Sequence, residues 1–167
     1  LEELTQILNT NFGHIIDLVH RYGGDVFKFA GDALLAVWVT DSRPETLPPQ
    51  VLHAAQCALA IQESVQTRAI AKNVSLLLRI GVAAGPVVVG HLGGILKRWE
   101  CTLSGVPLLE MQQLQKQAQP GWVVIAANAW RLIQLYCQGI PLPDGNIRLL
   151  STYLGIPILP PKSVNFP

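Results

Sequence analysis

Charge is scarce in this sequence. Asp, Glu, Lys and Arg supply 14% of its 167 residues, against roughly 25% in an ordinary soluble domain. Twelve basic and eleven acidic side chains leave a formal net charge of +1. That balance argues against strong non-specific nucleic-acid binding, which needs clustered Lys and Arg to displace counterions. Long apolar runs are lacking too. The longest unbroken one is Ala33 to Val39, and the stretch Val74 to Gly90 is interrupted by Arg79, Gly81, Gly85 and Pro86. Neither approaches the roughly 20 residues of a membrane-crossing helix, and no segment has the layout of a secretory signal. Cysteine is sparse and odd in number: Cys57, Cys101 and Cys137 stand far apart. This argues against a disulfide framework or a CxxC metal knuckle, and the expectation is free thiols in a reducing, cytoplasmic compartment.

The familiar catalytic signatures are also missing. The sequence holds no GxxxxGK[ST] loop, no HExxH and no GxSxG. His14, His20, His53 and His91 lack metal-ligand spacing, and Gly90, Gly93 and Gly94 do not spell a dinucleotide fingerprint.

What the sequence does have is apolar material, 50% of its residues, enough for one collapsed domain with a real core. Leu1, Leu4, Leu8, Phe12, Ile15, Val19 and Tyr22 recur at helical spacing up to Gly23-Gly24. No cap precedes Leu1, so the chain is expected to be a piece of a longer one. Asp25 to Phe29 and Ala33 to Val39 read as a β-hairpin across Ala30-Gly31-Asp32. A helix over Gln50 to Thr67 follows, with Leu52, Ala55, Leu59 and Ile61 inward and Gln56, Gln62 and Glu63 outward. Val74 to Val82 reads as a strand with Pro86 to Gly90 as its hairpin partner. Next come a strand over Trp99 to Leu103, a helix over Leu108 to Gln119 and a strand over Trp122 to Ala126. A short helix over Asn128 to Cys137 and a strand over Ile147 to Leu154 complete the pattern. Hairpins interleaved with helices predict an α+β sheet with helices packed on one face. Pro157, Pro160, Pro161 and Pro167 predict a proline-rich linker over 158–167, after a domain over 1–157.

Lys28 and Asp32 flank the tight turn between two apolar strands. A carboxylate there is a suitable hard ligand for Mg²⁺ beside substrate phosphates, and a lysine four residues earlier can reach the same cleft. The same residues also fit an Asp that stabilises its own turn and a Lys that snorkels at a sheet edge.

The run GGDVFKFAGDALLAVW (Gly23 to Trp38), followed by RIGVAAGPVVVG (Arg79 to Gly90), resembles the class III adenylyl/guanylyl cyclase catalytic domain. KFAGDALLAVW, GGILKRWECTLSG (Gly93 to Gly105) and LPPKSVNF (Leu159 to Phe166) are most similar to the first cyclase half of the soluble, bicarbonate-responsive subgroup and its cyanobacterial relatives. RYGGDVF (Arg21 to Phe27) also nearly spells the diguanylate cyclase signature, but Val26 stands where that family needs a metal-binding carboxylate.

The resemblance implies a ferredoxin-like, palm-type domain with a mixed, largely antiparallel sheet whose first strand lies upstream of Leu1. It also implies a reaction: two divalent ions, Mg²⁺ or Mn²⁺, assist conversion of ATP to cyclic AMP and pyrophosphate in intracellular signalling. Asp32 matches the second metal-binding aspartate, and the first belongs to that upstream strand. Lys28 matches a lysine used for the purine or placed near the bicarbonate pocket, and Thr102 matches a purine-selecting position that points to adenine. The family's GxxVNxAxR motif reads GVPLLEMQQ here, with Leu109 in place of the ribose-orienting Asn and Gln113 in place of the transition-state Arg. Neutral glutamine lacks the charged fork of arginine. Gln112 falls near the expected bicarbonate-pocket arginine. Such a half implies a second cyclase domain as partner. The alternative is an inactive pseudo-cyclase module for dimerisation or ligand sensing.

Overall fold

The computed structural model describes residues 2–41, 43–67, 76–93 and 99–153. The chain opens with α1 (Glu2–Arg21), the strands β1 (Asp25–Ala30) and β2 (Ala33–Val37), and α2 (Leu47–Thr67). There follow β3 (Ile80–Val82), β4 (Val88–Gly93), β5 (Trp99–Ser104) and α3 (Val106–Gln117). The last elements are β6 (Val123–Ile125), α4 (Ala127–Ile133), β7 (Cys137–Pro141) and β8 (Ile147–Thr152). The proline-rich segment 158–167 and the likeness at 159–166 lie outside the described residues, as do positions 74 and 75 of the strand expected over Val74 to Val82; residues 76–79 are not in a strand, so β3 is shorter than expected, Ile80–Val82 only. α2 begins three residues earlier than expected because Pro48 and Pro49 fall in its first turn, where no intrahelical N–H is required.

Among the described residues the strands form three sheets: the β1–β2 hairpin, the β4–β5 hairpin and a four-stranded sheet in the order β3-β6-β8-β7. β3 and β6 run parallel while β6–β8 and β7–β8 are antiparallel, so the sheet is mixed and largely antiparallel. One expected pairing is overturned. The strand ending at Val82 does not fold back onto Pro86 to Gly90; β3 lies beside β6, with Ile80 opposite Val123 and Val82 opposite Ile125. β4 instead pairs with β5, from Val88 opposite Ser104 to Gly93 opposite Trp99. The physical reason is burial: Val123, Val124 and Ile125 are at most 2% exposed, and such a strand needs an apolar neighbour on each side.

The core has two parts. Val51, Leu52, Ala55, Val82, Val123, Ile125, Ile133 and Leu149 belong to one. Ile15, Leu18, Val19, Cys57, Ile61 and Val65 form the other, on which Leu34 and Ala36 of β2 and Ile80 of β3 also pack, although no ladder joins those strands. The expectation of helices on one face holds for α1, α2 and α4. α3 departs from it. Gly81 points opposite to Ile80 and Val82, and a Cβ there would lie 3.1 Å from Leu114 Cβ and from the Met111 carbonyl, so α3 crosses the other face.

Two further expectations fail. The helix expected over Asn128 to Cys137 stops at Ile133, and after a 3₁₀ turn (Gln134–Tyr136) Cys137 opens β7. Gly139 allows this strand in: a Cβ there would collide with the Ile147 side chain and come within 3.1 Å of Trp130. Gln62, expected outward, is 5% exposed, and its amide donates to the carbonyls of Leu78 (2.8 Å) and Trp122 (3.3 Å). It clips the lead-in of β3 to that of β6.

Candidate functional site

Ala30 pairs with Ala33, which makes Gly31 and Asp32 a two-residue turn. Gly31 takes φ 64°, the left-handed conformation that tight hairpin turns demand and glycine adopts without steric cost. Asp32 therefore stands exposed at the hairpin tip, and no hydrogen bond or ion pair engages its carboxylate among the described residues. Lys28 lies opposite Leu35 on the same ribbon, also exposed. Val26 faces Ala36 and Lys28 faces Leu35, so Phe27 is an extra, bulged residue. In a regular strand Val26 and Phe29 would point to opposite sides. The bulge turns both toward α1, where Phe29 meets Phe12 edge-on with ring centroids 5.7 Å apart. Lys28 consequently points away from α1.

Thr102 sits on β5 directly opposite Gly90 of β4, and its hydroxyl donates to the Gly90 carbonyl at 3.2 Å. With its one proton committed, the hydroxyl retains only acceptor capacity. The missing side chain at Gly90 matters, since a Cβ there would stand 3.1 Å from Thr102 Oγ1. Lys28 and Asp32 thus share one ribbon while Thr102 occupies another. No hydrogen bond or ladder joins the two ribbons among the described residues.

α3 starts against the β3–β4 connection: a Cβ on Gly105 (φ 147°) would lie 2.8 Å from the Pro86 carbonyl. The helix buries Pro107 and Leu114 and turns Leu109, Gln112 and Gln113 outward, Leu109 being 62% exposed. Sequence reasoning missed the junction behind it. Asn128 donates from Nδ2 to the Ala84 carbonyl (3.1 Å) and to Glu110 Oε2 (3.4 Å), and its Oδ1 accepts from the Ala129 N–H (2.7 Å). Asn128 is the second residue of α4 and not its cap, which is Ala126, and the carbonyl and carboxylate it reaches lie 44 and 18 residues away.

Among the described residues no three His, Cys, Asp or Glu side chains gather to hold a metal. Asp32 alone offers one unengaged carboxylate, a donor set that suits Mg²⁺ only if further oxygens come from elsewhere. Burial lowers the pKa of His53, which is 4% exposed, and pushes the Cys57 thiol up to about 12 and the Cys137 thiol up to about 11. No helix among the described residues is long and apolar enough to cross a membrane.

The Adenylate and Guanylate cyclase catalytic domain family matches residues 2–139. "Adenylate cyclase type 10" of Rattus norvegicus is 29% identical over 131 residues, and that of Homo sapiens 30%. The matched region covers 78% of this chain and 8% of each relative's length. The guanylate cyclase domain of RhGC from Catenaria anguillulae, solved in complex with GTP, superposes with a TM-score of 0.76 at 23% identity, over 91% of this chain and 86% of that one. The adenylyl cyclase CyaB from P. aeruginosa gives 0.75 at 19% identity, over 94% and 87%. Both likenesses establish the fold.

Proposed function

The chain belongs to the adenylate and guanylate cyclase catalytic domain family, and from that premise we propose that it supplies the Asp32 half of a metal site to a two-domain adenylyl cyclase. The substrate is ATP, the products are cyclic AMP and pyrophosphate, and the partner is a second cyclase domain. The observation that carries the choice of ATP is the Thr102 hydroxyl, whose proton goes to the Gly90 carbonyl. Only its lone pairs remain, so it accepts from the 6-amino group of adenine and has no proton for the 6-oxo group of guanine. Asp32, exposed and unengaged at the hairpin tip, fits a Mg²⁺ or Mn²⁺ ligand, and the second carboxylate belongs to a strand outside this chain. When bound, the two ions lower the cost of the attacking ribose alkoxide and offset charge on the leaving pyrophosphate. Lys28, exposed on the same ribbon, meets acceptors of the purine or a bound anion. Leu109 and Gln113 can neither orient the ribose nor carry charge, so the partner provides those groups. Gln112 likewise gives a bicarbonate ion no charge to pair with.

A second reading, an inactive cyclase-like module, rests on the same two outward residues of α3. The intact parent protein separates the two. Asp32→Ala is expected to abolish cyclic AMP formation, and Thr102→Val to lower kcat/KM for ATP about tenfold, the loss of one hydrogen bond of ~1.4 kcal/mol. Turnover unchanged by Asp32→Ala would remove the metal assignment and favour the inactive module.

A further inference from the structure

β4 and β5 carry a pair of side chains that the nucleotide reading leaves unused. His91 lies directly opposite Cys101 across the ladder, so both point to one face of the ribbon with Cβ atoms about 5 Å apart. His91 is exposed and Cys101 half-buried. The other two thiols are shielded, Cys57 at 0% exposed and Cys137 at 4%. All three cysteines are free. The thiolate is the nucleophile in thiol–disulfide exchange, and imidazole is the side chain suited to taking a proton near neutral pH.

We propose that Cys101, with His91 opposite as proton acceptor, is a thiol-exchange site for low-molecular-weight disulfides. The His91 ring takes the thiol proton as Cys101 Sγ attacks one sulfur of the disulfide. The old S–S bond breaks as the Cys101 Sγ–S bond forms, and the departing thiolate receives the proton as a free thiol. Cys101 is oxidised and the leaving sulfur reduced, with no other oxidant needed. Gly90 and Thr102, next in sequence to His91 and Cys101, point to the opposite face of the same ribbon. An adduct on Cys101 therefore sits one residue from the purine-reading hydroxyl. That consequence rests on the function proposed above; the exchange itself does not.

The test is to incubate the folded 167-residue chain with oxidised glutathione and follow intact mass and peptide maps over time. A single glutathione adduct is expected, on Cys101, with Cys57 and Cys137 unmodified. His91→Ala and His91→Gln, each verified as folded by circular dichroism, are both expected to slow the adduct roughly a hundredfold, the lower end for a positioned proton acceptor. Modification first at Cys57 or Cys137, no adduct at all, or His91 variants that react at the wild-type rate would each overturn the proposal. None of these outcomes bears on cyclic AMP formation by the parent protein, so the two readings fail separately.

Discussion

Histidine 53 is a basic side chain kept out of water by α2 and its neighbours, and at 4% exposed it must be neutral to stay there. Burial lowers its pKa in the folded chain, whereas the unfolded chain binds the proton near pH 6.5. The unfolded state therefore gains protons first as pH falls. The stability that neutral His53 contributes is fully present above about pH 6.5 and declines below it, toward the lower folded value. Urea unfolding at about pH 8 and about pH 5.5 should give a clear loss for the wild type and a smaller one for His53→Leu. Equal losses would show that His53 is not the titrating group. Gln62, the other buried polar residue of α2, exposes a limit of sequence reading. The hairpin that carries Lys28 and Asp32 was legible because glycine and aspartate in a turn announce local geometry. Gln62 is buried by two carbonyls, at Leu78 and Trp122, that only the tertiary fold delivers.

Most elements were legible in the sequence, β6 and β8 included, whereas a strand's partner and an element's exact ends depend on distant contacts and were not. α1, the β1–β2 hairpin and the body of α2 follow from apolar spacing and turn residues. β7 escaped because Cys137–Pro141 holds a glycine and a proline where strand formers are expected; its place depends on fitting beneath Trp130 and beside Ile147. β3 was paired with its sequence neighbour because the fully buried β6 announces no particular partner. The joint between α1 and the first hairpin allows a quantitative test. A Cβ on Gly24 would lie 2.6 Å from Cε2 and 2.7 Å from Cζ2 of Trp38, while that indole is held by Nε1 donating to the Tyr22 carbonyl at 2.9 Å. The ring cannot retreat and keep its bond. Gly24→Ala is therefore expected to cost about 1–3 kcal/mol in urea unfolding, the usual range for overpacking. Gly13→Ala, where a Cβ meets nothing within 4 Å, is the control and should not destabilise. A Gly24→Ala midpoint matching the control would mean that the indole yields freely.

The scarcity of charge acquires a place on the whole molecule. Val88, Val106 and Leu109 are 66%, 63% and 62% exposed, and they are close together: β4 pairs Val88 with Ser104, two residues before Val106, and Leu109 lies a turn further along α3. Large exposed apolar side chains gathered without charge mark an interaction surface better than scattered ones do. Under the two-domain proposal this surface meets the partner cyclase domain, and a carboxylate there would be buried without a counter-charge. Leu109→Glu should weaken binding of the isolated partner domain at least about tenfold by titration calorimetry, a loss typical of a central contact. Glu45→Gln, on an exposed turn before α2, should leave the affinity unchanged. If Leu109→Glu binds as the wild type does, the partner sits elsewhere, and the low charge of the chain reflects a face other than the one built by β4 and α3.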